Sequence, residues 1–315
     1  MSTWNPTSQE KKQAGREMFR KEYFWRNLVT VCGILIIALT LSIGVFLLYK
    51  GSGTFYKYGH TVWEFLFSSD WNPTDGPSQS GGAVGSAIYI WGSLITCGLA
   101  LLIALPFSIA AALYMTEISP KAGTRLFQPA TEIFLGIPSV VYGWVGLTVL
   151  VPFIRSIFHA RMGGFSVLAA GIVLAVMIFP TITTISADAI RSVPDAYRKA
   201  AYGLGSTRWQ VILHVVLPAA LPGIMTGVIL GLSRAFGEAL AVAMVIGKTR
   251  AFPDSILSPT SNLTSAIAAD MGNTAEGGEY NLALWTMALL LFLMSMLFIM
   301  LIHKVSGRKG KDHEA

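Results

Sequence analysis

Apolar residues gather into six long runs parted by polar segments. The runs lie near Leu28–Tyr49, Gly85–Met115, Phe127–Val151, Phe165–Ile185, Pro218–Gly247 and Asn281–His303. Each is long enough for a helix to cross the apolar core of a bilayer, which takes about 18 residues or more. The pattern predicts an all-α integral membrane protein with six transmembrane helices over residues 28–303, flanked by tails at 1–27 and 304–315. Gly136, Pro138, Gly143 and Gly146 predict a kink or loosened turn midway along the third run.

Composition agrees. The 315 residues are 53% hydrophobic and 13% charged, against about 25% charged in a soluble domain. The N-terminus does not have the form of a cleavable signal, because a long polar segment precedes a full-length apolar run. Gln9–Asn27 mixes charge with Met18, Phe19, Tyr23, Phe24 and Trp25, which fits either an interfacial helix or a solvated basic tail. Sixteen of the 23 Lys and Arg fall on one side of the six spans, six fall on the other, and Arg234 alone lies within a span. The richer side is expected to be cytoplasmic, which places both termini there. The bias also accounts for the net charge of +6 without invoking nucleic acid.

Catalytic and metal chemistry find no footing. Cys32 and Cys97 both sit in apolar runs with no metal or disulfide spacing. The five histidines are scattered and suggest no ligand set. There is no nucleophile elbow and no HExxH motif. Gly247-Lys248-Thr249 has Val242 where a phosphate-binding loop needs its first glycine. Two outer loops, Gly51–Gly82 and Lys248–Tyr280, are rich in turn formers and long enough to be functional or mobile. Asn262-Leu263-Thr264 fits a glycosylation sequon but in a bacterial protein would be a chance match.

The polar segment 186–217 joins the fourth and fifth spans. Ser192-Val-Pro-Asp195 resembles a capping box with Asp in place of Glu, opening a short helix to about Tyr202. Gly203 and Gly205 can supply its left-handed stop. Ser206 or Thr207 can cap a second short helix, which Pro218 is expected to interrupt. Two short helices joined by glycines make an L-shaped knob. Ala196, Ala200 and Ala201 keep one face slim, and Trp209 and Leu213 would anchor the knob or fill a partner's groove.

The fifth span carries two overlapping patterns. Gly223, Gly227, Gly231, Ala235, Ala239, Ala243 and Gly247 recur every four residues, a small-residue stripe that lets another helix approach closely. Its expected occupant is a second subunit. Arg234 and Glu238, at i and i+4, are expected to share a helical face and to pair. A charge at mid-bilayer costs about 2.5–3.5 kcal/mol even on insertion scales, so such groups face a cavity or a partner. Guanidinium suits tetrahedral oxyanions. A carboxylate accepts hydrogen bonds from the O–H of hydrogen phosphate and repels sulfate, which has none.

KAAYGLGSTRWQVILHVVLPAALPGI resembles the cytoplasmic loop of ATP-binding cassette (ABC) importer permeases. The family's Glu-Ala-Ala is here Lys199-Ala200-Ala201, with Gly205 at its glycine and Leu217-Pro218 at its end; Lys199 removes a carboxylate. GLSRAFGEALAVAMVIG, LGIPSVVYGWVGL and SSDWNP resemble the phosphate-specific branch, and SRAFGEALAVAMV the first, C-type, member of its two paired permeases. Where that pattern has Gly-Glu-Thr, this chain has Gly237-Glu238-Ala239.

The resemblance implies a type I importer permease in a bacterial cytoplasmic membrane. It implies a second permease subunit, two ATP-binding subunits docked on Asp195, Lys199, Ala200, Ala201, Gly205, Trp209 and Leu213, and an extracytoplasmic phosphate-binding protein. Arg234 and Glu238 would line the substrate passage, and Gly223, Gly227 and Gly231 would pack helices. ATP and Mg would belong to the ATPase, leaving this chain without a cofactor or enzymatic site. Rival expectations are a sulfate or molybdate permease of the same superfamily, and a proton-coupled anion carrier using Glu238.

Overall fold

The computed structural model describes residues 8–74, 81–160 and 162–311, with side chains described from residue 23 to residue 304 within those ranges. The chain divides into two units, Met1–Lys50 and Gly51–Ala315. The first is dominated by one 44-residue helix, α1 (Ser8–Gly51). From Ser8 on, the polar stretch is continuous with the apolar run rather than a separate interfacial helix. Residues 1–7, and the side chains of Met18 and Phe19, lie outside the described set.

The second unit opens with α2 (Gly53–Tyr58), α3 (Val62–Phe67) and a short antiparallel ribbon. In the ribbon, β1 (Trp71–Asn72) pairs with β2 (Ala83–Val84), setting Trp71 opposite Val84. There follow α4 (Ala87–Leu113), α5 (Pro120–Ala122), α6 (Gln128–Gly136), α7 (Ser139–Val145), α8 (Val151–Phe158), α9 (Val167–Arg191) and α10 (Asp195–Gly203). The rest are α11 (Arg208–Val211), α12 (Leu217–Gly237), α13 (Leu240–Val245), α14 (Leu263–Asp270) and α15 (Glu279–Lys311). Among the described residues, 6 helical stretches are long and apolar enough to cross a membrane: Tyr23–Tyr58, Ala87–Ile118, Ser139–Phe158, Met162–Arg191, Arg208–Gly237 and Glu279–Lys304.

α9 is the most buried of these and packs against both α4 and α12. Ala100 and Ala104 of α4, Ala170, Leu174, Ile178 and Ile182 of α9, and Val228 and Leu232 of α12 share one buried cluster. Small residues bring the helices close. A Cβ added at Gly223 would sit 2.5 Å from that of Ala189, and one at Gly231 would sit 2.6 Å from Cγ1 of Ile182. At Gly227 the neighbour is Ile185, at 3.2 Å. These three glycines therefore face α9 of the same chain, where a second subunit had been expected. An intrachain neighbour already fills the groove they make.

Prolines shape the helices through a repeated device. The backbone is π-helical over Tyr114–Ile118, Gly123–Phe127, Gly146–Leu150 and Ile212–Val216. In each case the residue just after the segment donates its N–H to the carbonyl five back: Ser119 to Tyr114, Gln128 to Gly123, Val151 to Gly146 and Leu217 to Ile212. The next residue is always proline, at 120, 129, 152 and 218. A proline ring crowds the carbonyl four residues back and gives it no hydrogen. A wide turn takes that carbonyl out of the ring's way. Pro218 consequently does not interrupt the second loop helix. α11 runs through its π turn into α12 as one stretch, Arg208–Gly237.

The third run breaks between two of the residues named for it, Gly136 and Pro138. Ile137 turns extended (φ −71°, ψ 127°) ahead of Pro138, ending α6. Gly143 stays α-helical and Gly146 opens the π turn Gly146–Leu150, a loosened turn, and both also serve packing. A Cβ at Gly143 would lie 2.8 Å from Cα of Ala241, and one at Gly146 would lie 2.7 Å from Cγ2 of Val173.

The later long loop, Lys248–Tyr280, is folded inward. α14 lies within it, with Leu263, Thr264 and Ser265 buried. Asn262 is buried too, and its side chain accepts the N–H of Ser265 to cap α14. A buried capping residue cannot receive a glycan.

Candidate functional site

Two places in the second unit hold the residues singled out above. The first is the end of α12. Its helix stops at Gly237, and Glu238 is extended (φ −80°, ψ 117°) before α13 begins. Arg234 and Glu238 are therefore not one turn apart on a continuous helix. Among the described residues no ion pair joins them.

The physical reason lies in what satisfies the break. The Glu238 carbonyl accepts the Thr264 hydroxyl of α14 at 2.9 Å. The Glu238 carboxylate accepts the Ala241 N–H at 3.0 Å, capping α13. Those two bonds replace the helical bonds lost at Gly237 and Glu238, and Gly237 favours the break through its poor helix propensity.

Arg234 is half-buried. Its Nη1 donates to the Thr181 hydroxyl at 3.5 Å, a long bond. Its charge also reaches Tyr142 of α7. Tyr142 in turn donates to the Phe134 carbonyl at 2.8 Å. A Cβ added at Gly237 would meet nothing within 4 Å, so the surface beside the break is open. Interrupted backbone at membrane depth is stable only inside protein or along a water-filled cavity, and half-helix ends at such breaks suit ion binding. The site thus offers a partly open guanidinium, the Thr181 hydroxyl and a carboxylate acceptor held at a helix break.

The second place is the knob. Ser192 donates its hydroxyl to the Ala189 carbonyl, and α10 is capped by Pro194 without a side-chain bond. The expected capping box at Ser192–Asp195 is absent. A reciprocal box does form at the second helix, where Thr207 and Gln210 satisfy each other's backbone N–H. Gly205 takes the left-handed conformation (φ +82°) that ends the first helix, while Gly203 remains within it. Asp195, Lys199, Ala200, Gly205, Trp209 and Leu213 are exposed, whereas Ala201 is buried beneath them. Leu204, at the elbow, is 88% exposed.

Sequence reasoning passed over the residues that hold the knob in place. The Arg198 guanidinium donates to the Glu117 carboxylate at 2.8 Å, to the Ile190 carbonyl at 2.9 Å and to the Val193 carbonyl. Arg208 donates to the carbonyls of Glu117 and Ile118. No local pattern could have paired Arg198 with Glu117, which lie 81 residues apart. The usable signal was a lone acid just ahead of the polar turn that ends the second apolar run.

The two places are joined by one continuous helical stretch. From Trp209 to Arg234 it extends about 38 Å at about 1.5 Å per residue.

Known proteins resemble this arrangement. The family profile described as "Binding-protein-dependent transport system inner membrane component" matches residues 104–311. The Bacillus subtilis (strain 168) protein named "Probable ABC transporter permease protein YqgH" is 50% identical over 284 residues, 90% of each chain. The Pasteurella multocida "Phosphate transport system permease protein PstC" is 36% identical over 313 residues, covering 91% of this chain and 94% of that one. Among solved structures, a chain of a bacterial alginate ABC transporter is similar in fold, with a TM-score of 0.61, 18% identity, and coverage of 93% of this chain and 96% of that one. The chain belongs to the inner membrane components of binding-protein-dependent transport systems, the permease subunits of ABC importers.

Proposed function

We propose that this permease carries inorganic phosphate across the cytoplasmic membrane, with Arg234 as the contact for the anion. The observation that carries the reading is the open, half-buried guanidinium of Arg234 at a broken membrane helix, without Glu238 as its salt-bridge partner. Relatives named as phosphate permeases support the choice of anion. Arg234 donates to phosphate oxygens, and Glu238 favours an anion that brings an O–H.

In this reading both termini face the cytoplasm. The chain works beside a second homologous permease. Two ATP-binding subunits dock on the exposed face of the knob, at Asp195, Lys199, Ala200, Gly205, Trp209 and Leu213. They hold the ATP and Mg, and ATP hydrolysis is theirs. An extracytoplasmic binding protein delivers phosphate from the opposite side. Closure of the ATPase pair moves the knob, and the helical stretch through α12 carries that movement to Arg234.

The test is phosphate uptake by proteoliposomes holding the co-purified assembly. Uptake must require ATP and withstand an uncoupler, and excess sulfate or molybdate must compete poorly. Arg234→Gln must abolish uptake while the assembly still forms. Normal uptake by that variant would sink the assignment. Uptake driven by a proton gradient and indifferent to vanadate would favour a carrier instead.

A further inference from the structure

Arg198 sits on the docking helix but points away from the docking surface. Its side chain is 16% exposed, and that of Glu117 14%. The guanidinium bonds three separate pieces of chain. It meets the Glu117 carboxylate through Nη2 at 2.8 Å and Nε at 3.2 Å. It meets the carbonyls of Ile190, in the last turn of α9, and of Val193 just beyond. Nη1 also reaches the exposed Asp195 carboxylate at 3.3 Å. Glu117 lies in the π turn that ends the α4 span, and α11 grips the same turn through Arg208. Below this contact Ala112, Leu113, Ile190, Ala201, Val211 and Ile212 form one buried cluster.

We propose that the Arg198–Glu117 pair is the joint through which knob movement reaches the α4 span, so that Glu117 is a positioning residue for transport. This rests on the reading that an ATPase drives the knob. α11 is continuous with α12, and α10 follows α9 after three residues. Neither needs a side chain to be pulled along with its span. α4 has no such covalent link to the knob within 75 residues. Besides its apolar packing against α9, α12 and the knob, it is tied to the knob by the polar bonds at its end. A charge-assisted contact in which Nε and Nη2 converge on the single oxygen Oε1 of Glu117, while the same guanidinium also bonds two carbonyls, holds direction as well as distance, which a lever needs and an apolar contact does not supply.

The experiment measures phosphate delivered per ATP hydrolysed in proteoliposomes, for wild type, Glu117→Gln and Glu117→Ala. Each assembly is checked by co-purification of all subunits. Gln keeps one acceptor oxygen without the charge, and Ala keeps neither. The expected result is a ratio lower by at least about fivefold in Glu117→Ala, the lower end for coupling between sites. Glu117→Gln should fall between it and wild type, with ATP hydrolysis retained in both.

A purely structural role would lower hydrolysis and transport together and leave the ratio unchanged. That outcome, in either variant, overturns the proposal. If Glu117→Ala fails to assemble, Glu117→Gln decides by the same ratio. If the wild type itself shows no link between hydrolysis and phosphate delivery, the reading of the knob as an ATPase dock falls first.

Discussion

Tyr142 donates its hydroxyl hydrogen to the carbonyl of Phe134, bridging the break that Pro138 makes in the third membrane run. The geometry answers a specific deficit. Pro138 has no N–H, so the carbonyl four residues earlier, that of Phe134, loses its helical partner. An unpaired carbonyl away from water costs about 1–3 kcal/mol. Tyr142 removes that cost and at the same time lies within reach of the Arg234 charge.

Tyr142→Phe should therefore lower stability by about 1 kcal/mol, the net worth of one hydrogen bond. Thermal unfolding of the detergent-solubilised assembly reads the change. An unaltered melting point would mean that water replaces the hydroxyl at Phe134.

Glu238→Ala should destabilise the break, since the Ala241 N–H then loses its acceptor. Loss of a capping side chain costs about 0.5–2 kcal/mol. Glu238→Gln keeps an acceptor oxygen and should restore most of that stability while altering anion selectivity. Comparing melting points with uptake in the two variants separates the cap from the charge. Equal stability in both would show that the cap contributes nothing.

Gly231→Ala should be destabilising by about 1–3 kcal/mol, the usual cost of overpacking, because Ile182 occupies the space of its methyl group. Pairing it with Ile182→Val, which removes the crowding Cδ1, should recover part of the loss. Independent, additive effects in the double variant would argue against direct contact.

Glu279 holds the segment around the β1–β2 ribbon. It is fully buried, and its carboxylate accepts from the backbone N–H groups of Thr74, Gly81 and Gly82, from the Thr74 hydroxyl and from the His60 ring. Glu279→Ala removes the carboxylate from all of these bonds, each worth about 1–3 kcal/mol where water cannot replace it. Limited proteolysis should cut between Trp71 and Val84 far faster in the variant. An unchanged digestion pattern would show that other contacts fix the ribbon.

Much of the fold was legible because a bilayer imposes length. Six runs of sufficient apolar length are hard to misread, and the elbow at Gly205 followed from glycine's tolerance of positive φ. The break after Gly237 was not legible. No proline marks it, and Arg234 and Glu238 match the helical spacing. What ends the helix is a hydroxyl from Thr264, supplied by tertiary structure. The capping box predicted at Ser192 failed for a similar reason, because Ser192 closes α9 by bonding back to Ala189. The glycine stripe was visible as a stripe, but nothing in its spacing identified α9 as its partner. Arg198 was visible only as one more positive charge.

The π turn at Ile212–Val216 contains one residue more than a regular α-helix would need there. Deleting a residue inside that turn should keep Trp209 and Arg234 on their present helical faces but bend the helix where the Pro218 ring meets the carbonyl four residues back. Deleting one after Pro218 should rotate Arg234 by about 100° relative to Trp209, the angle one residue subtends on an α-helix. The surplus residue lets this lever carry a proline partway along and stay unbroken.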